Sequence, residues 1–276
     1  MIDICTVVFR EELPALRVQA ESIARYATDL GTRNIYVVVN DSDDIVNEID
    51  AGWWGSLANR VMVVPRTAFG ADWVENGWVS QQALKLMCSA MSYNHYVMVL
   101  DAKTILVRDF VPAEILCNGR PRVGRMAVFP VFQPSADIAG ALWGITVQEQ
   151  LGPGGVPYFF HTQQVRAMIA DVEQRTGTSF PAWFQAQGRL TEFVLYSAWL
   201  QHRNLYDSLY ARATIVPCNI DHSDVDRIDQ RLDEMIKISA HTVSIHRGAW
   251  QAMTPDQRVR YQHYLIDRGL KSAWQL

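Results

Sequence analysis

Residues 77–112, GWVSQQALKLMCSAMSYNHYVMVLDAKTILVRDFVP, hold the pattern that decides the fold. Ser80 to Tyr93, with Leu84 and Met87 at helical spacing, predicts an amphipathic helix. Tyr96 to Leu100 (YVMVL) is a short, continuous apolar run of the kind a strand needs when both its faces are covered. The run stops at Asp101, and a short turn leads into a return strand. An acid directly after buried apolar residues places its charge at the edge of the sheet. There it either faces a ligand or simply caps the turn.

The same alternation extends upstream. Ile4 to Phe9 (ICTVVF) reads as a strand, and Pro14 opens a helix through Leu16, Ala20, Ile23, Ala27 and Leu30 that Gly31 should end. Ile35 to Val39 (IYVVV) is another fully apolar strand, halted at Asn40-Asp41, and Arg60 to Val64 repeats the signal. Strand and helix in turn predict an α/β protein with a Rossmann-like sheet flanked by helices. Ligands of such sheets bind beyond the carboxyl ends of the strands. Those ends are Phe9-Arg10-Glu11, Asn40-Asp41 and Asp101-Ala102-Lys103. No Gly-x-Gly-x-x-Gly follows the first strand and no P-loop occurs, which argues against dinucleotide oxidoreductases and P-loop kinases.

The second half is less regular. It has a loop at Gly152-Pro153-Gly154-Gly155 and expected helices from about Thr162 to Arg175, Glu192 to Leu200 and Asp224 to Ile238. A last helix is opened by the Thr254 cap and Pro255 and closed by Gly269. Without repeats or an obvious linker, residues 1–276 read as one continuous domain.

Composition narrows the function. Apolar residues make up 49% and charged residues 20%, as in a globular protein. With 29 acidic against 25 basic residues the net charge is −4, so no global basic field would hold nucleic acid or anionic lipid. The cysteines at 5, 88, 117 and 218 are too scattered for a zinc ribbon or a disulfide framework. No apolar run approaches a membrane span, and Met1-Ile2-Asp3-Ile4 enters a strand without a leader pattern, so a cytoplasmic location is expected, with peripheral membrane contact allowed.

The Leu-Asp-Ala-Lys-Thr block at residues 100–104 resembles the Leu-Asp-Ala-Asp-Thr of glycogenin-like GT-A nucleotide-sugar glycosyltransferases. Closer still is a group of uncharacterised bacterial proteins of that superfamily with a Gln-Gln-x-x-Lys-Leu helix, which residues 81–86 match. The resemblance implies a GT-A mixed sheet, with about residues 1–130 holding the nucleotide sugar and 131–276 facing the acceptor. It implies a sugar donor, UDP-linked by analogy, and a glycan or glycolipid acceptor. A catalytically inactive sugar-nucleotide or glycan-binding protein is the alternative.

On the same resemblance, Phe9, Arg10 and Asp41 would contact the nucleoside. Lys85, Lys103 and Arg247 would contact the diphosphate, Gln82 sugar hydroxyls, and Asp101 the ribose or donor sugar. Lys103 replaces the second acid of the family's Asp-x-Asp motif. An ammonium can take over part of a metal's charge on phosphate but cannot coordinate a cation. No metal is therefore expected to be required, although Asp101 and His246 could form a weak site for Mn²⁺ or Mg²⁺. The islands Pro157–His161 and Leu190–Tyr196 would line the acceptor side through Tyr158, His161 and Glu192, and Trp250 would join them from Ser244–Trp250. Beside Phe193 and Tyr196, Glu192 is a candidate catalytic base with a raised pKa, or a first-turn glutamate stabilised by the helix dipole. Trp53, Trp54, Trp73 and Trp78 suit either sugar stacking or core packing.

Overall fold

The computed structural model describes residues 2–70, 73, 77–152, 157–212 and 216–272. Pro153, Gly154 and Gly155 of the expected loop lie outside them. The strands are β1 (Ile2–Val8), β2 (Ile35–Val39), β3 (Val61–Pro65), β4 (Tyr96–Asp101), β5 (Thr104–Leu106), β6 (Leu116–Cys117), β7 (Arg120–Ala127), β8 (Glu149–Gly152), β9 (Tyr158–His161), β10 (Ala211–Arg212), β11 (Pro217–Ile220) and β12 (Thr242–Ile245). The α-helices are α1 (Leu13–Tyr26), α2 (Gly77–Met91), α3 (Pro112–Ile115), α4 (Gln133–Trp143), α5 (Thr162–Thr176), α6 (Phe180–Gln187), α7 (Glu192–His202), α8 (Tyr206–Leu209), α9 (Ile228–Lys237), α10 (Arg247–Ala252) and α11 (Pro255–Asp267).

The apolar runs β1, β2 and β4 sit inside a five-stranded sheet of order β3-β2-β1-β4-β9. The first four strands are parallel and β9 pairs antiparallel with β4. Every residue of β1 and β2 is buried, which is why neither strand shows polar alternation. Asp3, the one acid in β1, is fully buried and satisfied: it accepts from the Arg33 and Asn34 N–H groups, the Ser92 hydroxyl and the Asn94 amide. A second sheet joins β10, β7 and β6, with β8 on β7, and a third has the order β11-β12-β5. Leu16, Ala20 and Ile23 of α1 belong to the main core. Ala15 and Val18 belong to a second core, built on the third sheet and α9 to α11.

Two expected helices differ from the structure. The helix opened by Pro14 ends at Tyr26 rather than Gly31, because the Tyr26 carbonyl accepts from Phe110 N–H at 2.8 Å; a 3₁₀ turn, Thr28–Leu30, then leads to Gly31 at φ 62°. The segment expected as a helix from Asp224 to Ile238 begins as a 3₁₀ turn, His222–Arg227, held by a capping box between Asp221 and Asp224, and becomes α-helical only at Ile228. The final helix opens as expected, with Thr254 accepting from Gln257 N–H.

Parallel order with α1 and α2 as crossovers brings the ends of β1, β2 and β4 to one edge. Asn40, just beyond β2 and 2% exposed, ties that edge to α2: its amide donates to the Gly77 carbonyl at 3.0 Å and its oxygen accepts from the Ser80 hydroxyl at 2.9 Å. Asn40→Ala removes both of these hydrogen bonds, so urea unfolding is expected to register a loss of about 1–3 kcal/mol. A change within the scatter of surface substitutions would show that α2 does not depend on this tie.

Candidate active site

The site is organised by a charged helix residue that burial would normally exclude. Lys85 lies on the inner face of α2 with only 4% of its side chain exposed. Its ammonium donates to Asp101 Oδ1 at 2.7 Å and to Glu192 Oε1 at 3.0 Å. Burial alone would lower the Lys85 pKa, but the two carboxylates outweigh it and raise the value. Lys103 Nζ approaches the other Asp101 oxygen, Oδ2, at 3.5 Å. Against its burial, the two ammonium groups hold Asp101 well below the ordinary carboxylate range. Glu192 behaves oppositely: burial raises its pKa, and Lys85 only partly pulls it back. The result is an alternating row of charge, Lys103, Asp101, Lys85, Glu192.

Each member has a structural support. The turn after β4 is fastened from below by Gln19 of α1, whose amide donates to the carbonyls of Asp101 at 2.6 Å and Thr104 at 2.9 Å while its oxygen accepts from Thr6. Thr191 N–H donates to the Ser135 hydroxyl at 2.9 Å, which fixes the start of α7 and hence Glu192. The Thr191 side chain itself makes no cap bond to α7. Tyr158 donates to the Leu151 carbonyl at 2.9 Å and packs on Phe193, stiffening the opposite wall.

A cavity of about 520 Å³ opens over this row. One wall is charged and polar: Lys85, Asp101, Lys103, Asn219, Asp221, Ser244 and His246. The facing wall is aromatic, with Phe129, Phe132, Phe193 and Tyr158 in ring contact from the rim inward. Gln82, Glu192, Thr191, Val131 and Trp78 complete the lining, and Trp78 is 48% exposed at the mouth. His246 caps α10, accepting from Gly248 N–H at 3.2 Å. Burial and then the nearby Lys103 lower its pKa, favouring the neutral ring.

Of the residues expected at the site, Asp101, Lys85, Lys103, Gln82, Glu192, Tyr158 and His246 line this cavity. The others lie outside its lining. Arg10 pairs with Asp44 and Glu48, and its backbone N–H donates to Asp41 at 3.3 Å, so those strand-end residues close on one another at the surface. The Phe9 ring lies over Gly77, where an added Cβ would meet it at 2.6 Å. Arg247 pairs with Glu11. His161 is paired with Tyr96, at the start of β4, so antiparallel pairing carries it to the far end of the sheet from Asp101, whereas Tyr158, paired with Val99, comes near. Trp250 packs on Tyr261 in the second core. Trp54 is buried core and Trp53 stacks on it, while Trp73 donates to the Arg66 and Gly70 carbonyls.

Asn219, Asp221, Ser244 and Gln19 were not singled out in the sequence. Gln19 carried a signal: it stands three residues after Leu16 and one before Ala20, on the apolar stripe of α1, where a polar side chain needs a buried partner.

A family model, DUF6492, described as a family of unknown function, matches residues 5–226. The chain belongs to DUF6492. No curated protein matches it. Among solved structures, this DUF6492 chain is similar to the galactosyltransferase LgtC in complex with donor and acceptor sugar analogs, with a TM-score of 0.52 at 13% identity over 96% of each chain. It is also similar to mouse xyloside xylosyltransferase 1 (TM-score 0.44, 10% identity, 92% of this chain and 99% of that one). For the glycosyltransferase GlyE of Streptococcus pneumoniae TIGR4 the TM-score is 0.43 at 11% identity, over 97% of this chain and 61% of that one. The fold is the GT-A glycosyltransferase fold, a mixed sheet flanked by helices. Among the described residues of the DUF6492 chain, no helix is long and apolar enough to cross a membrane.

Proposed function

We propose that this DUF6492 chain is a glycosyltransferase that moves a sugar from a nucleotide diphosphate donor, UDP-linked, to a glycan or glycolipid acceptor in the cytoplasm. The observation that carries the reading is the Lys85 ammonium held between Asp101 and Glu192 on the floor of a cavity at the carboxyl edge of the sheet. Glu192 is the base: its second oxygen, Oε2, is buried without a hydrogen-bond partner, and its pKa is raised, as proton removal near neutral pH requires. It takes the proton of the acceptor hydroxyl. The hydroxyl oxygen forms the new bond to the anomeric carbon as the sugar–phosphate bond breaks, and the electron pair leaves on the nucleotide diphosphate. Attack from the face opposite the leaving group inverts the anomeric centre.

The residues do not suit a divalent cation. Asp101 offers one oxygen to each of two ammonium groups, and among the described residues no three His, Cys, Asp or Glu side chains cluster as ligands. In this reading Lys103, 21% exposed and facing the cavity, takes up the charge developing on the leaving diphosphate. Lys85 is already shared between two carboxylates and Arg247 is engaged by Glu11, so neither is assigned that task.

Titration calorimetry with UDP, UDP-sugars, GDP-sugars and CMP-sugars, with and without Mn²⁺, tests the donor class. Failure of all of them to bind below millimolar concentration would sink the reading. Activity is expected to survive EDTA, and Lys103→Ala to weaken donor binding by about 1–3 kcal/mol. Complete loss in EDTA with recovery in Mn²⁺ would overturn the metal-free arrangement. The second reading, a binding protein without turnover, is favoured by Lys103 at the position of the family's second acid. Released UDP that vanishes in Asp101→Ala or Glu192→Ala counts against it.

A further inference from the structure

The floor of the cavity holds two buried acceptors that the protein leaves unmet. Glu192 Oε2 is one. The other is Gln82 Oε1, which also lacks a hydrogen-bond partner although Gln82 is only 6% exposed. Both residues line the same cavity. Gln82 stands one helical turn before Lys85 on α2, and Glu192 is bonded to Lys85, so the two residues that carry these acceptors are both neighbours of Lys85. That ammonium has three N–H donors, and the bonds to Asp101 and Glu192 use two. Buried acceptors without donors are costly and uncommon in folded proteins. A pair of them on two neighbours of one cation, in residues that line one cavity, describes a complement to hydroxyl groups.

We infer that Gln82 and Glu192 together read two adjacent hydroxyls of one sugar ring, and that Gln82 determines specificity. This rests on the glycosyltransferase reading and adds to it the feature the sugar must carry. The hydroxyl hydrogens point to Gln82 Oε1 and Glu192 Oε2, and the remaining Lys85 N–H meets a hydroxyl oxygen. Phosphate oxygens, which only accept, would leave both side chains unmet, so this corner belongs to sugar rather than diphosphate. Because Glu192 Oε2 also takes the proton of the acceptor hydroxyl, the sugar is the one receiving the transfer, and the feature it must carry is a vicinal diol.

The inference makes an unusual prediction for Gln82→Leu. Replacing an unmet buried amide with an apolar side chain of similar volume should leave thermal stability unchanged or higher. It should weaken the sugar-bearing ligand by roughly 5–10-fold. Binding of UDP alone should not change.

Calorimetry on wild type and Gln82→Leu with UDP, UDP-glucose, UDP-galactose and their monodeoxy analogues tests the donor arm. Methyl glycosides and their monodeoxy forms, added to the UDP-loaded protein, test the acceptor arm. In the acceptor arm, a single deoxy analogue should bind wild type about as weakly as its parent binds Gln82→Leu, and should lose nothing further in the variant. Equal weakening of UDP, a fall in melting temperature, or no acceptor deoxy analogue coupled to Gln82 overturns the inference while leaving donor binding standing. If no sugar nucleotide binds at all, the glycosyltransferase reading fails first and this inference fails with it.

Discussion

Lys85→Met is expected to destabilise the protein by about 3–5 kcal/mol at neutral pH, the range for removing one partner of a buried ion pair. Methionine fills a similar volume, so the loss would not come from a cavity. It would come from Asp101 and Glu192, both deprived of the ammonium that now neutralises them. The pH dependence identifies this cause. In the wild type Asp101 has a depressed pKa, so its contribution is present above the ordinary aspartate value and lost as pH falls through the folded one. Glu192 has a raised pKa, so its ionisation already costs stability as pH rises through the folded value; without Lys85 that cost grows. Both effects make the difference between wild type and Lys85→Met larger at pH 7 than near pH 3.5, where the variant's carboxyls, no longer held down by Lys85, can take up protons and shed the cost of unpaired charge. Urea denaturation at the two pH values measures it. A difference independent of pH would mean that Lys85 acts through packing alone.

The fold was legible where burial was two-sided. β2 and β4 up to Leu100 are continuous apolar runs, and β1 departs from one only at Asp3 and Thr6, because both faces of the parallel sheet are buried; such runs stand out in a sequence without further context. The second sheet was not legible. β7, Arg-Pro-Arg-Val-Gly-Arg-Met-Ala, is mostly half-buried and most of its pairing is with β8 and β10, which lie 22 or more residues away in the chain; the one local sign is its short hairpin with β6 across Asn118-Gly119. At the site, the strand-end rule and the family resemblance located Asp101, Lys103 and Lys85, and Glu192 followed from its position at a helix start. The resemblance could not indicate that Lys85 would be spent on two carboxylates, since that depends on α7 reaching across to α2. Arg10, Asp41 and Arg247 share strand ends or helix starts with the ligand-binding edge, but each finds a polar partner on a neighbouring surface segment. Sequence position brought them to the edge; which way each side chain turned was decided by charges distant in the chain.

Glu192→Gln is expected to lower the rate of transfer by about 10²–10⁴-fold, the usual contribution of a general base, while donor affinity stays close to wild type. The amide keeps an acceptor for Lys85 and nearly the same shape, so the fold and the cavity survive; what it cannot do is accept the acceptor's proton. The wild-type pH profile carries the same information. A base works when ionised, so the rate should climb as pH rises through the folded Glu192 pKa, which burial places above the ordinary glutamate value despite the pull of Lys85. That rising limb should be missing from the residual activity of Glu192→Gln. Lys85 adjusts the position of the limb: a variant lacking its charge but still folded would shift it to higher pH, because the main opposition to the effect of burial would be gone. The stereochemistry of the product is an independent constraint, since a base acting on the acceptor hydroxyl requires attack from the side opposite the leaving group. NMR of the product anomer against that of the donor decides it, and retention of configuration would remove Glu192 from the role of base even if its substitution abolished activity.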